Sequence, residues 1–275
     1  MGEYLKAKGI YYPDTLKKIK KKDDSLQAIY EAFTNSLEAI QLLNKDNTNE
    51  EIGINIFIED NKVVDSFSRV EVVDTGIGFN DQEFKRLQNL NDSRKGFLNK
   101  GSGRVQFIHT FDITEILSIY KDESSSSGYK QRHVTLSKSD IFLHNNAIIR
   151  KEDNDGIDIQ GNKRETKIIF KNFLEKKDDD FFRKLTATNL KEYLIRHYLV
   201  KFCEIRDNMP RIFIRYFVNE SVQGELTISS SDIPKFDKEQ NVDISYSTID
   251  NNGDIVETPK SEILILKAFK ISMNE

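Results

Sequence analysis

The chain has 275 residues, 37% of them hydrophobic and 31% charged, with 18 Phe, 10 Tyr and no Trp. That is enough to bury one large or two medium cores, and 41 basic against 45 acidic residues give a formal charge of −4, so no global pull toward nucleic acid or a membrane surface exists. The single Cys203 excludes an internal disulfide and fits a reducing compartment; with no apolar leader and no run of about 18 apolar residues for a span, a soluble, cytoplasmic protein without a membrane partner is expected.

Residues 1–24 are Lys-rich, end in KIKKKDD and read as a solvated lead-in, with a phosphate-binding arm as the lesser alternative. Residues 25–43 carry a helical pattern. Leu26, Ile29, Phe33, Leu37 and Ile40 repeat with a core-facing period, while Glu31, Asn35 and Glu38 fall within one arc on the opposite side. One face therefore packs, and the other presents two carboxylates and an amide. The polar connector NKDNTNEE leads to an alternating strand, Ile52 to Ile58, and a second strand near Val70–Val73 runs into Asp74. Residues 80–100 mix helix and loop, 104–120 read as a helix and then a strand, and SSSSG at 124–128 is a turn before a strand over 129–137. KIIFKNF (167–173) is a further strand. A long helix is expected over 181–205 after EKKDDDFF, then strands from RIFIRYFV to EILILKAF, with a domain boundary near residue 173.

Three motifs carry chemistry. In DTGIGF (74–79), Asp74 closes a β-branched strand and can accept a hydrogen bond from an exocyclic amine, while Gly76 and Gly78 let backbone approach a flat ring. A calcium loop would need oxygen donors where these glycines stand, and a dinucleotide fingerprint would need a third glycine where Asp81 stands. KGSGR (100–104) precedes VQFIHTF, and glycines ahead of a helix aim unpaired N–H groups at an anion. Ser102 occupies the position that a P-loop gives to lysine, so that motif fails; Lys100 and Arg104 could bring charge to a phosphate chain. ETKIIF (165–170) opens a strand with Thr166, whose hydroxyl could reach the same ring amine or a water held by Asp74. The four histidines are scattered, and no Cys/His cluster suggests zinc.

In order, Glu31-x3-Asn35, Asp74-x-Gly76-x-Gly78, Gly101-x-Gly103 and Thr166 closely resemble the motifs of the GHKL superfamily, over roughly residues 25–172. That superfamily groups gyrase B subunits, the ninety-kilodalton heat-shock chaperones, sensor histidine kinases and MutL proteins. The resemblance implies an α+β two-layer sandwich of mixed sheet and helices, the Bergerat ATP-binding fold, at 25–173. A partial, transducer-like α/β region would follow at 174–275, with a truncated end and a downstream domain or partner protein to follow.

It further implies that Glu31 is the general base and Asn35 the Mg²⁺ ligand. Asp74, with Gly76 and Gly78, reads adenine and Thr166 supports it. Gly101, Ser102, Gly103, Arg104 and Val105 cradle the phosphates of ATP or ADP, residues 88–103 form a lid, and Lys95 is a weaker nucleotide contact. Glu165 stands where these families often carry Gly, and Glu38 where many have Asp. With no His before residue 109, a self-contained sensor kinase is excluded. The expected activity is Mg²⁺-dependent ATP hydrolysis that drives homodimerisation and switching, chaperone-like or MORC-like. The alternatives are a DNA-processing ATPase of MutL or topoisomerase type, which leaves a nucleic-acid partner open, and a regulator that binds ATP without hydrolysis. In the family a transducer lysine contacts the γ-phosphate; Lys235, Lys260 and Lys267 do not stand out as that residue.

Overall fold

A computed structural model describes residues 2–7, 9–43, 46–60, 65–88, 103–161, 163–247 and 260–269. In chain order the elements are β1 (Glu3–Tyr4), α1 (Tyr12–Lys18), α2 (Gln27–Gln41), β2 (Glu51–Asp60), β3 (Asp65–Asp74), α3 (Asp81–Gln88), α4 (Gly103–Thr110), β4 (Phe111–Lys121) and β5 (Tyr129–Leu136). They continue with α5 (Asp140–His144), β6 (Ile149–Lys151), β7 (Glu165–Phe173), α6 (Lys176–Lys184), α7 (Ala187–Ile205), β8 (Arg211–Val218), β9 (Ser221–Ile228), β10 (Phe236–Tyr246) and β11 (Lys260–Phe269). Nine strands form one mixed sheet in the order β1-β6-β5-β4-β7-β3-β2-β8-β9, and β10 pairs with β11 in a separate hairpin. The chain is α+β, with helices layered on the sheet, as the sequence reading expects.

Alternation along the strands builds the two faces. Ile54, Val72, Ile168, Ile116 and Val134 pair across five neighbouring strands and are all buried. The opposite face is ionic, with Lys171–Glu115 at 2.9 Å, Lys167–Glu71 at 3.6 Å and Arg69–Glu71 at 2.7 Å. The apolar face takes the helices. Phe33 and Leu37 of α2, Phe107 and Ile108 of α4, Phe182 of α6, and Leu194 and Phe202 of α7 join its core.

No break in the sheet falls at residue 173. β8 lies parallel to β2, with Ile52 opposite Ile212 and Ile54 opposite Ile214, and β9 closes that edge. The helix expected over 181–205 is two helices. Leu185 is extended (φ −72°, ψ 120°), and Thr186 then caps α7 by accepting from the Asn189 N–H at 3.1 Å. EKKDDDFF is the start of α6 rather than an interruption, with Asp178 and Asp179 in the first turn, where the helix dipole favours carboxylates.

The N-terminal segment also departs from the expected solvated lead-in. β1 pairs with β6 at the sheet edge, and Tyr12 and Leu16 of α1 are core residues. Lys21 is only 14% exposed and ion-pairs with Asp178, which is fully buried; Ser25 donates to the second oxygen of that carboxylate at 2.7 Å. Among the described residues, no helix is long and apolar enough to cross a membrane.

Candidate functional site

α2 is buried around most of its circumference, so the simple division into a packed and a solvated face does not hold. Glu38, expected on the open side, is buried, as is Ser36. α4 lies along one flank of α2. On the other flank α7 brings the Tyr198 hydroxyl onto the Tyr30 carbonyl at 2.5 Å and the Thr34 hydroxyl at 2.9 Å. Burial holds the Tyr198 phenol well above its ordinary value, so it stays neutral and able to donate.

Glu31 and Asn35 are half-buried, one turn apart. The Gln27 amide donates to Glu31 Oε1 at 2.9 Å, and the Lys22 ammonium stands 3.9 Å from the same oxygen. Glu31 Oε2 faces the first residue of α4: a Cβ on Gly103 would come within 2.5 Å of it. Two motifs separated by seventy-odd residues thus meet, a carboxylate against a glycine at a helix N-terminus. Burial raises the Glu31 pKa above its ordinary value, and Lys22 and the Gln27 hydrogen bond oppose that shift.

Asp74 ends β3 beneath α2. Ser36 donates to Asp74 Oδ2 at 2.8 Å and the Gly76 N–H to Oδ1 at 3.0 Å. Complete desolvation pushes this carboxyl up to about 7 despite both bonds, with further upward pressure from Glu165 and Glu50. Thr166 is its cross-strand neighbour on β7, and Ser118 of β4 is next in the row. The hydroxyls of Ser118 and Thr166 lie 2.9 Å apart, and Ser118 also accepts from the Phe79 N–H at 2.8 Å. Asp74, Thr166, Ser118 and Ser36 thus form one buried polar floor.

The glycines of DTGIGF have a packing reason besides the one expected. A Cβ on Gly76 would lie 2.7 Å from the Ala39 carbonyl carbon and Cβ, and the Ile77 N–H bonds the Ala39 carbonyl at 3.1 Å. Gly78 has φ +82° and abuts Tyr120, where a Cβ would sit 2.7 Å from the Tyr120 Cβ. The clash at Gly76 is with helix backbone, which has no room to move. Gly76→Ala is therefore expected to lower stability by about 1–3 kcal/mol, read as an earlier urea midpoint at unchanged m-value. An unchanged midpoint would contradict this account of the loop.

At α4, Gly103 is at the helix start as expected, whereas Val105 is fully buried in the core. The Arg104 guanidinium donates to the Arg86 carbonyl at the end of α3, at 2.9 Å, rather than standing beside Glu31. Lys95, Gly101, Ser102, Lys100 and most of the expected lid lie outside the described residues. Ser36, Ser118 and Gln27 also belong to the candidate site, outside the residues that the motifs name. Ser118 had a signal, a lone hydroxyl inside the apolar strand ITEILSIY, and Ser36 sits within the Glu31–Asn35 segment itself.

Asn35 offers one amide oxygen, and among the described residues no group of three or more His, Cys, Asp or Glu could hold a metal alone. A hard cation here would need further oxygen donors besides Asn35.

No protein-family model matches the chain, and no curated protein matches it. Among solved structures, the chain is similar to one described as the crystal structure of the N-terminal domain of a DNA repair protein. The identity is 13%, the TM-score 0.41, and the match covers 86% of this chain and 65% of that chain. A likeness that slight assigns no family, and the reading of the site rests on its own residues.

Proposed function

We propose that the chain binds ATP with Mg²⁺ and hydrolyses it in the manner of the GHKL superfamily. The observation that carries the reading is the convergence of separated motifs: Glu31 against Gly103, and Asp74 under Ser36 and Gly76 with Thr166 in its row. Asp74 accepts the hydrogen bond of the adenine amino group, and the Thr166 and Ser118 hydroxyls complete the polar floor. Glu31, its Oε1 held by Gln27, uses Oε2 to orient and deprotonate the water that attacks the terminal phosphate. Asn35 would hold a Mg²⁺ ion, whose charge would offset that of the phosphates when bound. Through α7, bonded to the α2 backbone one residue before Glu31, occupancy of the site is passed to the second half of the chain. A switch that dimerises on ATP binding is the use this coupling suits.

The test is a calorimetric titration with a non-hydrolysable ATP analogue and Mg²⁺, with the matching GTP analogue alongside. Saturable binding of the adenine compound alone is expected, because guanine presents a carbonyl where Asp74 needs a donor. Binding of neither, or of both equally, overturns the reading. The DNA-processing alternative would instead show salt-dependent retention on duplex DNA.

A further inference from the structure

Six neighbouring strands, β5-β4-β7-β3-β2-β8, end along one rim of the sheet, and their ends enclose a cleft of about 430 Å³. Lys121 closes β4 opposite Tyr129, the first residue of β5; Lys163 and Arg164 lead into β7; Arg211 opens β8 opposite Glu51. The two carboxylates that line the cleft are already engaged. Glu50 accepts from the Thr75 hydroxyl at 2.6 Å, and Glu51 pairs with Arg211 at 2.5 Å. Lys121, Lys163 and Arg164 have no hydrogen-bond or ion-pair partner among the described residues. Arg164 is the anomaly. It is half-buried, and every other buried or half-buried arginine described donates to a carboxylate or a carbonyl. A guanidinium partly withdrawn from water without an acceptor costs free energy, which a bound anion recovers.

We propose that this cleft is a second ligand site, which binds the phosphate group of a small molecule through Arg164, with Lys121 and Lys163 as flanking charges. The planar fork of Arg164 matches two phosphate oxygens at once, whereas the lysines act as point charges. The volume suits a compact phosphorylated compound rather than a polymer. Tyr129 gives the same cleft an aromatic surface for the carbon portion of a phosphate ester. None of Glu31, Asp74, Gly103, Ser118 or Thr166 lines the cleft, so the proposal stands apart from the ATP reading. The rival reading is a rim of solvated surface cations. It predicts no saturable binding and no special part for Arg164.

The experiment titrates wild type, Arg164→Ala and Arg164→Lys calorimetrically with inorganic phosphate, inorganic pyrophosphate and ribose 5-phosphate at fixed ionic strength, with thermal melts to confirm folding. Saturable binding of at least one probe is expected. Losing the charge-assisted fork weakens it about 10–100-fold in Arg164→Ala. Arg164→Lys, which keeps the charge but not the bidentate geometry, recovers only part of the loss. Tighter binding of ribose 5-phosphate than of the inorganic anions assigns the cleft to a phosphate ester; the reverse order assigns it to the free anion. No saturable binding of any probe, or binding that Arg164→Ala leaves within about threefold of wild type, overturns the proposal. The ATP reading is untouched by either result, because both variants should bind the ATP analogue as wild type does.

Discussion

Glu31→Gln is expected to lower ATP turnover by about 10²–10⁴-fold, the range for loss of a positioned general base, while the Kd for an ATP analogue moves only a few-fold. The asymmetry follows from where the two carboxylate oxygens point. Oε1 is taken by the Gln27 amide, whereas Oε2 lies over Gly103 at the start of α4. A glutamine can keep the first contact and still lacks a basic atom at the second. Because burial raises the Glu31 pKa, the base loses its charge at a higher pH than a free glutamate would. Turnover at saturating ATP should therefore fall on acidification earlier than an unperturbed carboxylate predicts. Single-turnover rates with radiolabelled ATP, beside equilibrium titrations, check both halves. A variant that hydrolyses ATP within threefold of wild type would remove Glu31 from the chemistry.

Asp74→Asn is expected to separate stability from binding, in opposite directions. The folded carboxyl titrates near 7 against an ordinary value of 3.8, because it is completely desolvated. Folding therefore retains a proton that the unfolded chain has given up between those values, and stability falls as pH rises through that window. The contribution is fully present below about 3.8 and lost above about 7, and it amounts to at most about 4 kcal/mol. An asparagine accepts from the Gly76 N–H and donates to the Ser36 hydroxyl, so it satisfies the same partners without an ionised form. The empty variant should melt several degrees above wild type at pH 8 and level with it near pH 4, at about 2–4 °C per kcal/mol. Affinity for the ATP analogue should drop about 10–100-fold, because an amide N–H then faces the adenine amine. Parallel melting curves for the two proteins from pH 4 to 8 would show that Asp74 does not titrate as a buried acid.

Much of the site was legible because its chemistry is local in sequence. Glu31 and Asn35 share a helical arc, Asp74 ends a run of β-branched residues, and Gly103 directly precedes an apolar helix. Of the floor, Thr166 was marked by its place at the start of ETKIIF, whereas Ser118 joins it only through the register of β7 on β4, which no local pattern encodes. The expected 181–205 helix failed at Leu185 for a different reason: apolar positions continue in phase across the break, and only the Thr186–Asn189 cap marks it. At residues 18–24 the solvated reading holds for Lys18, Lys20, Lys22, Asp23 and Asp24, which are exposed, and fails at Lys21, which has Asp178 as a buried partner, contributed by a helix 157 residues away. Gln106 was invisible for the same reason, since a polar residue on α4 acquires meaning only when Lys20 and Lys22 are laid across it.

The parallel seam between β2 and β8 bears on how the chain is made. Ile54 meets Ile214, about 160 residues later in the chain. At bacterial-to-eukaryotic elongation rates of about 5–20 residues per second, roughly 8–32 s separate their synthesis. Throughout that interval β2 can pair with β3 on one side while its other edge, carrying Ile52, Ile54 and Ile56, offers unpaired amides and carbonyls to any passing strand. Synonymous codons that slow the ribosome between residues 75 and 211 should therefore increase the aggregated fraction of a protein whose finished sequence is unchanged.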